Sequence, residues 1–377
     1  MKQPLLSIVV PTKNRYYYLK HLIKYINNFE TDEVELLVHD NSDNNAEILD
    51  FINKGQYRSI SYYYTKDHLS MSENADQAVH KSKGEYVCFI GDDDGVLSNI
   101  VEVVENMKQK GYDALLSQNI IYNWPDFSDS SIYNLTSSLL YKKKSGNHYE
   151  IDTDRELKEC LNSGLRDMCR LPRLYQGIVS RLLLDKIYQI ASTYFPGPSP
   201  DMANAISLAL LHTRTLYYDS PLIISGQSKY VGGGERLMKK LPKISEVSFL
   251  PSNISETWDK RIPDYWCADT VWPQSVISAY RAMDIEMPTL NTDKILATFI
   301  FDHFAYYNEC NSYINNHLHF LWYLISVFIR KACHYLYWRL SFYISNGNSR
   351  AEVKIKRGIN TIIEAAEFLN NIENKKR

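Results

Sequence analysis

Tyr86-Val87-Cys88-Phe89-Ile90-Gly91-Asp92-Asp93-Asp94 is the stretch whose reading decides the fold. Its first five residues read as a buried strand, and three consecutive carboxylates follow at the strand's end. Like charges this close raise each other's pKa or recruit a cation. A hard divalent ion with oxygen ligands relieves the repulsion directly. A solvated acidic turn is the plainer reading of the triplet taken alone. The residues upstream bear on the choice.

Leu6 to Val10 is β-rich and stops at Pro11, and Tyr17 to Phe29 follows with Leu19, Leu22, Ile23 and Ile26 at helical spacing. Val34 to Val38 is a second strand that ends at His39-Asp40-Asn41-Ser42-Asp43, and Asn45 to Asn53 carries Ile48, Leu49 and Ile52 on one helical face. Ile60 to Tyr64 is a third strand. Ser70-Met71-Ser72-Glu73 is a capping box that opens a helix to about Lys81. Beyond the triplet come a helix from Ser98 to Lys110 and a strand from Asp113 to Ser117. This alternation with short connections predicts an α/β fold, a mostly parallel sheet flanked by helices. Ligands in such sheets bind beyond the carboxyl ends of the strands. The polar clusters Thr12-Lys13-Asn14-Arg15, Asp40-Asn41-Ser42-Asp43 and Asp92-Asp93-Asp94 all fall there. Neither a G-x-G-x-x-G dinucleotide fingerprint nor a G-x-x-x-x-G-K-[ST] phosphate loop is present.

Together these segments resemble the inverting GT-A glycosyltransferases of family 2. The family's first strand ends in P-[ST]-x-N-R, here Pro11-Thr12-Lys13-Asn14-Arg15. Its acidic D-[ND]-x-S-x-D turn corresponds to Asp40-Asn41-Ser42-Asp43, in a tighter form. Its N-x-[AG]-x-x-x-[AS]-x-G-E-Y segment corresponds to Asn74 through Gly84-Glu85-Tyr86, with altered spacing. Its metal motif F-L-D-x-D-D corresponds to Phe89-Ile90-Gly91-Asp92-Asp93-Asp94. The likeness covers roughly the first 100 residues and then thins.

The resemblance implies a Rossmann-like GT-A fold, a nucleotide-sugar donor and a Mn²⁺ or Mg²⁺ ion. It implies donor binding by Pro11, Thr12, Asn14, Asp40, Asn74 and Asp92, with Asp40 accepting from a pyrimidine and Asp92 near the ribose. Arg15 and Lys66 either offset diphosphate charge or are solvated surface cations. Asp93 takes the position of the metal ligand and Asp94 that of the trailing acid. One departure stands out: Gly91 replaces the first aspartate of the motif, leaving the site one carboxylate short. Inverting transfer also needs a general base for the acceptor hydroxyl. Asp201, in Pro196-Gly197-Pro198-Ser199-Pro200-Asp201 ahead of an apolar helix, is the candidate, with Asp219 and Glu235 in reserve. Capping that helix is the other role open to Asp201. Tyr230-Val231-Gly232-Gly233-Gly234-Glu235-Arg236 is either a lid over the site or a hinge.

The expected division is a GT-A domain at 1–236, with a nucleotide-sugar half to about residue 120 and an acceptor half beyond it, then a mainly helical region at 237–377. Lys239 to Lys243 reads as a linker, and helices are expected near 269–283, 292–309, 313–345 and 350–373. Cys310 to Ala351 holds no Asp or Glu, but has Arg330, Lys331, Arg339 and Arg350 among many aromatics. Its apolar run 318–329 is too short to span, since twelve helical residues reach ~18 Å against ~30 Å of hydrocarbon. A helix lying on an anionic membrane surface fits this pattern; a buried core helix or an oligomer contact fits it too. The membrane reading points to a lipid-linked acceptor glycan, of the undecaprenyl diphosphate kind, at the cytoplasmic face of an inner membrane.

The 377 residues are 45% hydrophobic and 13% aromatic, enough for a sizeable core. A net charge of -2 supplies no global field for nucleic acid. The 29 tyrosines suit carbohydrate or interfacial surfaces, and an AT-rich coding sequence would give the same bias. Six cysteines without a C-x-x-C pair read as reduced thiols in a cytosolic protein, and no signal peptide is evident. Two rivals remain. A nucleotidyltransferase of similar fold would need a G-x-G-T-R-like loop after strand one, which is absent. A degenerate domain that binds glycan without catalysis would explain Gly91.

Overall fold

The computed structural model describes residues 3–29, 31–55, 57, 60–127, 135–142, 147–229, 240–345 and 353–374. The glycine-rich segment Tyr230–Arg236, with the reserve acid Glu235, lies outside them, as do the side chains of Trp338 and Phe342.

The first half is built from β1 (Leu6–Thr12), α1 (Tyr16–Asn27), β2 (Val34–Asp40), α2 (Ala46–Gly55), β3 (Ile60–Tyr64), α3 (Met71–Lys81), β4 (Tyr86–Phe89), β5 (Gly95–Val96), α4 (Ile100–Gln109) and β6 (Ala114–Asn123). These bounds fall within a few residues of the expected ones, and the Ser70 and Glu73 capping box is formed at the start of α3. β3, β2, β1 and β4 lie side by side in parallel. β2 and β4 are buried along their whole length, and β1 at all but Pro11. Near-continuous apolar runs are what strands covered on both faces require. The order 3-2-1-4 reverses direction between β1 and β4, and that switch point lies at the carboxyl ends of these two strands, where such sheets bind ligands.

Next come β7 (Ser138–Lys142), β8 (Tyr149–Ile151), α5 (Thr153–Asn162), β9 (Ile178–Ser180), α6 (Arg181–Ala191), α7 (Pro200–Leu210) and β10 (Thr215–Gln227). Here the sheet becomes mixed. β9 inserts antiparallel between β4 and β6, so the strand expected at Asp113 does not extend the parallel set directly. β10 runs parallel to β6 and brings its end back against β5, beside the acidic triplet.

The last elements are α8 (Ile254–Thr257), α9 (Ala268–Ala282), α10 (Thr292–Asp302), α11 (Tyr307–Cys310), α12 (His317–Ser345), β11 (Val353–Arg357) and α13 (Ile362–Asn374). α9 packs on α7, and α12 packs on α10. Lys243 is no free linker residue: it pairs with Asp264 at 2.5 Å, and Leu241 beside it is buried. The expected boundary at 236/237 needs correction at the chain's end. β11 pairs antiparallel with β7, and Ile362, Ala365, Ala366 and Leu369 of α13 join the core beneath β1 and β2. A helix expected over 350–373 is thus a strand and a helix, both seated on the first domain. Among the described residues no helix is long and apolar enough to cross a membrane. None of the six cysteines is in a disulfide among the described residues.

Candidate active site

The ends of β1 and β4 meet through side chains. Thr12 Oγ1 donates to Asp92 Oδ2 at 2.7 Å. Arg15 reaches from the β1 loop across the triplet, with Nε 3.0 Å from Asp92 Oδ1 and a terminal nitrogen 2.5 Å from Asp93 Oδ2. The same guanidinium donates to Ser228 Oγ at 2.8 Å, and Ser228 Oγ donates to Asp93 Oδ2 at 2.6 Å. Arg15 is therefore the resident counter-charge of the acidic turn and not a solvated surface cation. Burial pushes the Asp92 carboxyl up and Asp93 adds to this, while Arg15 and Thr12 pull it down.

Asp94 is placed differently from its expected role beside Asp93. It is 0% exposed and turned into the fold. Its oxygens accept from Gln176 Nε2 at 3.2 Å, from the Gly226 amide at 2.7 Å and from the Gly91 amide at 2.8 Å. These bonds occupy both oxygens, which makes Asp94 the support of the turn. Burial, then the Asp93 charge, pushes its carboxyl up. Gly226 must be glycine for this packing, because a Cβ there would stand 1.8 Å from the Asp93 carbonyl oxygen. Trp124 Nε1 donates to that same carbonyl at 2.9 Å. Trp124 is fully buried against Tyr18 and Tyr122, so core packing and not sugar stacking accounts for it.

The β1 and β2 loops are stapled by Asn14. It adopts φ 58°, which asparagine tolerates better than most residues. Its backbone amide donates to Ser42 Oγ at 2.7 Å, and its side chain donates to the Asp43 carboxylate at 2.9 Å and accepts from the Asp43 amide at 3.1 Å. Asp40 is buried, and its carboxylate accepts from Tyr16 at 2.7 Å, Tyr62 at 2.6 Å and the Ser42 amide at 2.9 Å. As placed, it shapes the loop and offers no open edge to a pyrimidine. Asn74 Oδ1 lies 2.6 Å from His39 Nδ1, which fastens α3 to β2. Pro11 pairs with His39 in the β1–β2 register. Lys66 is exposed on the loop after β3.

Asp201 sits in the first turn of α7, behind Pro200, where Ser199 Oγ and the Met202 amide donate to Oδ1. Its second oxygen has no hydrogen-bond partner among the described residues. Three residues on, Asn204 accepts from the Leu174 amide at 2.9 Å and donates to the Tyr194 carbonyl at 3.1 Å. That anchors the segment carrying Tyr175 and Gln176. Burial, followed by the carboxylates of Asp94, Asp93 and Asp201, pushes the Tyr175 hydroxyl up. Tyr175 thus lies within electrostatic reach of both the triplet and Asp201. Ser228, Gln176 and Tyr175 carry no motif and are not found by reading the chain.

A divalent cation fits the triplet through Asp93 alone. Asp93 is at 6% the most exposed of the three, and its Oδ1 is not engaged by Arg15 or Ser228. Oδ1 also faces Gly91: a Cβ there would stand 3.1 Å from it, so the missing motif carboxylate would have projected at this atom.

Residues 7–168, from β1 through the triplet to beyond α5, match the family model for glycosyl transferase family 2. Among curated proteins, the GalNAc(5)-diNAcBac-PP-undecaprenol beta-1,3-glucosyltransferase of Campylobacter jejuni subsp. jejuni serotype O:2 is 30% identical over 112 residues, 29% of this chain and 36% of that protein. Glycosyltransferase GlyG of Streptococcus pneumoniae serotype 4 is 28% identical over 133 residues, 34% of this chain and 42% of that one. The chain therefore spans under half the length of these relatives. Among solved structures, S. aureus TarS 1-349 in complex with UDP-GlcNAc aligns with a TM-score of 0.47 at 15% identity, over 83% of this chain and 76% of that one. The mannosyltransferase PcManGT from Pyrobaculum calidifontis, in complex with GDP-Man and Mn2+, aligns at 0.40 and 14% identity, over 88% and 87%. The matched span holds the P-T-x-N-R loop, the Asp40 turn and the triplet, so residues 7–168, which carry most of the candidate site, are the part of the chain similar to glycosyl transferase family 2.

Proposed function

We propose that the chain moves one sugar from a nucleotide-diphosphate donor to a hydroxyl of a glycan carried on a lipid diphosphate, with inversion at the sugar carbon. The observation that carries this reading is the join of β1 and β4, where Thr12, Arg15, Asp92 and Asp93 converge at the switch point of a family 2 domain. Asp92 lines the donor pocket, held by Thr12. The loops around Asn14, Asp40 and Asn74 form its wall. Asp93 holds a Mn²⁺ or Mg²⁺ ion, with Arg15 able to turn from the carboxylates toward donor phosphates. The ion, when bound, neutralises the departing diphosphate. Asp201, through the oxygen that Ser199 leaves open, takes the proton from the acceptor hydroxyl.

Two features support a lipid-linked acceptor. The Campylobacter relative's name describes a glycan on PP-undecaprenol. α12 carries exposed apolar side chains, with Trp322 67% and Phe328 60% exposed, beside Arg330 and Lys331 and without one acid in its length. Such a helix lies on an anionic bilayer at the cytoplasmic face of a bacterial inner membrane.

A thermal-shift panel of nucleotide sugars with Mn²⁺ tests the donor half. One donor raises the melting temperature, since ligand at 100 times its Kd stabilises by about 2.7 kcal/mol, and EDTA reduces the shift. A panel in which no donor or nucleotide changes the melting temperature contradicts it. A second reading, a non-catalytic glycan-binding subunit, is favoured by Gly91 and by the Arg15 bridge; it predicts no metal-dependent nucleotide release.

A further inference from the structure

Next to α7, whose Met202 packs with Leu165, three cations from three separate elements come within electrostatic reach of one another. Arg166 comes from the loop after α5, Lys294 from α10 and Arg330 from α12. Arg166 Nε and one terminal nitrogen are buried without a hydrogen-bond partner among the described residues. A buried guanidinium nitrogen left unpaired is costly, so the arrangement favours a ligand that accepts from it. Lys294 runs along Gly164, where a Cβ would meet its Cγ at 3.2 Å, and its ammonium donates to the Asn162 carbonyl and faces the Tyr323 ring at 5.7 Å. Burial, then Arg330 and Arg166, pushes Lys294 down, and burial with Arg166 pushes Arg330 down. The three charges repel one another. The acid near Arg166 is Asp269, whose carboxyl burial and Asp302 push up to about 6; Asp302 itself pairs with Lys331. One carboxylate against three cations leaves a surplus of positive charge.

Two further features give the surplus a direction. α12, which brings Arg330 to the cluster, also carries exposed apolar side chains, Phe328 at 60% and Ile329 at 54% among them. The loop that carries Arg166 continues to Arg173, a buried cation in electrostatic reach of Asp201. One stretch of chain, residues 166–173, thus links the cation cluster to the candidate base.

We propose that Arg166, Lys294 and Arg330 bind the diphosphate of a lipid-linked acceptor, with its hydrocarbon chain laid along the exposed apolar side of α12. This rests on the reading above that the acceptor glycan hangs on a lipid diphosphate. Guanidinium groups suit the task because their fork of donors matches phosphate oxygens.

The test titrates the full chain with farnesyl diphosphate and follows tryptophan fluorescence. Farnesol, inorganic pyrophosphate and phosphatidylglycerol vesicles are the parallel arms. Farnesyl diphosphate binds at least about tenfold tighter than farnesol, and Arg166→Gln and Arg330→Gln each weaken it about tenfold, the loss expected for a charged hydrogen bond. Arg166→Lys recovers part of the affinity. Arg330 lies on an exposed helix, so its variant reports binding even where Arg166→Gln fails to fold. Unchanged affinity in Arg330→Gln overturns the proposal. So does loss of vesicle binding in the variants without any diphosphate preference, which would assign the cations to a lipid headgroup. Nucleotide-sugar hydrolysis read on the wild-type chain separates the two claims. Hydrolysis without diphosphate binding sinks this inference alone, while diphosphate binding without hydrolysis sinks the transferase reading alone.

Discussion

Three adjacent acids are given three different jobs by their partners. Asp94 is spent on backbone amides and Gln176, Asp92 is divided between Thr12 and Arg15, and Asp93 keeps one oxygen clear of Arg15 and Ser228. Arg15 balances Asp92, whose burial otherwise favours the neutral form, and pairs with Asp93 beside it. Removing it leaves those charges to repel one another, and breaking such a buried pair costs about 3 kcal/mol. Arg15→Ala is therefore expected to lower the urea midpoint in EDTA, with Mn²⁺ restoring part of the loss through Asp93. Equal midpoints for variant and wild type would show that the bridge carries no weight. Much of this turn is legible in the chain, because Pro11-Thr12, Asp40 and Asp92 each close a β-rich run. Ser228, Gln176 and Tyr175 are not. They arrive through β10 and the loop before β9, and a contact between residues so far apart leaves no local periodicity to read.

At the scale of elements, the site at the switch point depends on α3 staying docked behind β2. The capping box of Ser70 and Glu73 starts that helix, and the His39 to Asn74 bond of 2.6 Å holds it. Burial holds the His39 imidazole below its ordinary value, against the pull of Asn74. The unfolded chain takes up a proton here below about pH 6.5, whereas the folded chain resists it to a lower pH. The stability that neutral His39 contributes is thus fully present above that pH and is lost as pH falls toward the folded value. Melting temperatures between pH 7 and pH 5 should fall more steeply for wild type than for His39→Gln; parallel slopes would remove His39 from the account. The capping box is readable because its four residues are contiguous. β11 is the opposite case. Val353-Lys354-Ile355-Lys356 alternates with period two, but it is only a few residues long beside strong helical sequence on both sides, and its pairing with β7 decides its state.

For the whole molecule, the chain's end is part of the same core as its first strands. α13 supplies Ile362, Ala365, Ala366 and Leu369 to the core that also holds Leu6, Ile8 and Leu36. Ending the chain after residue 352 uncovers these partners, and burying aliphatic side chains is worth about 1.5–3 kcal/mol each for the larger ones. Such a truncated protein should lose several degrees of melting temperature and bind a hydrophobic dye, whereas unchanged melting would mean that α13 is a detached tail. Domain division is hard to read here because the C-terminal third leaves the sheet through α9–α12 and then returns to it. The loop that carries Arg166 runs on to Arg173, within electrostatic reach of Asp201 in the first turn of α7. The account stands or falls on that acid. The deciding measurement is sugar transfer to a lipid-diphosphate glycan by wild type and Asp201→Asn, with donor binding measured on both. Loss of transfer by Asp201→Asn of at least about 100-fold, at the lower end of what a general base contributes, with donor affinity kept, is the predicted result; near-normal transfer by Asp201→Asn would contradict it.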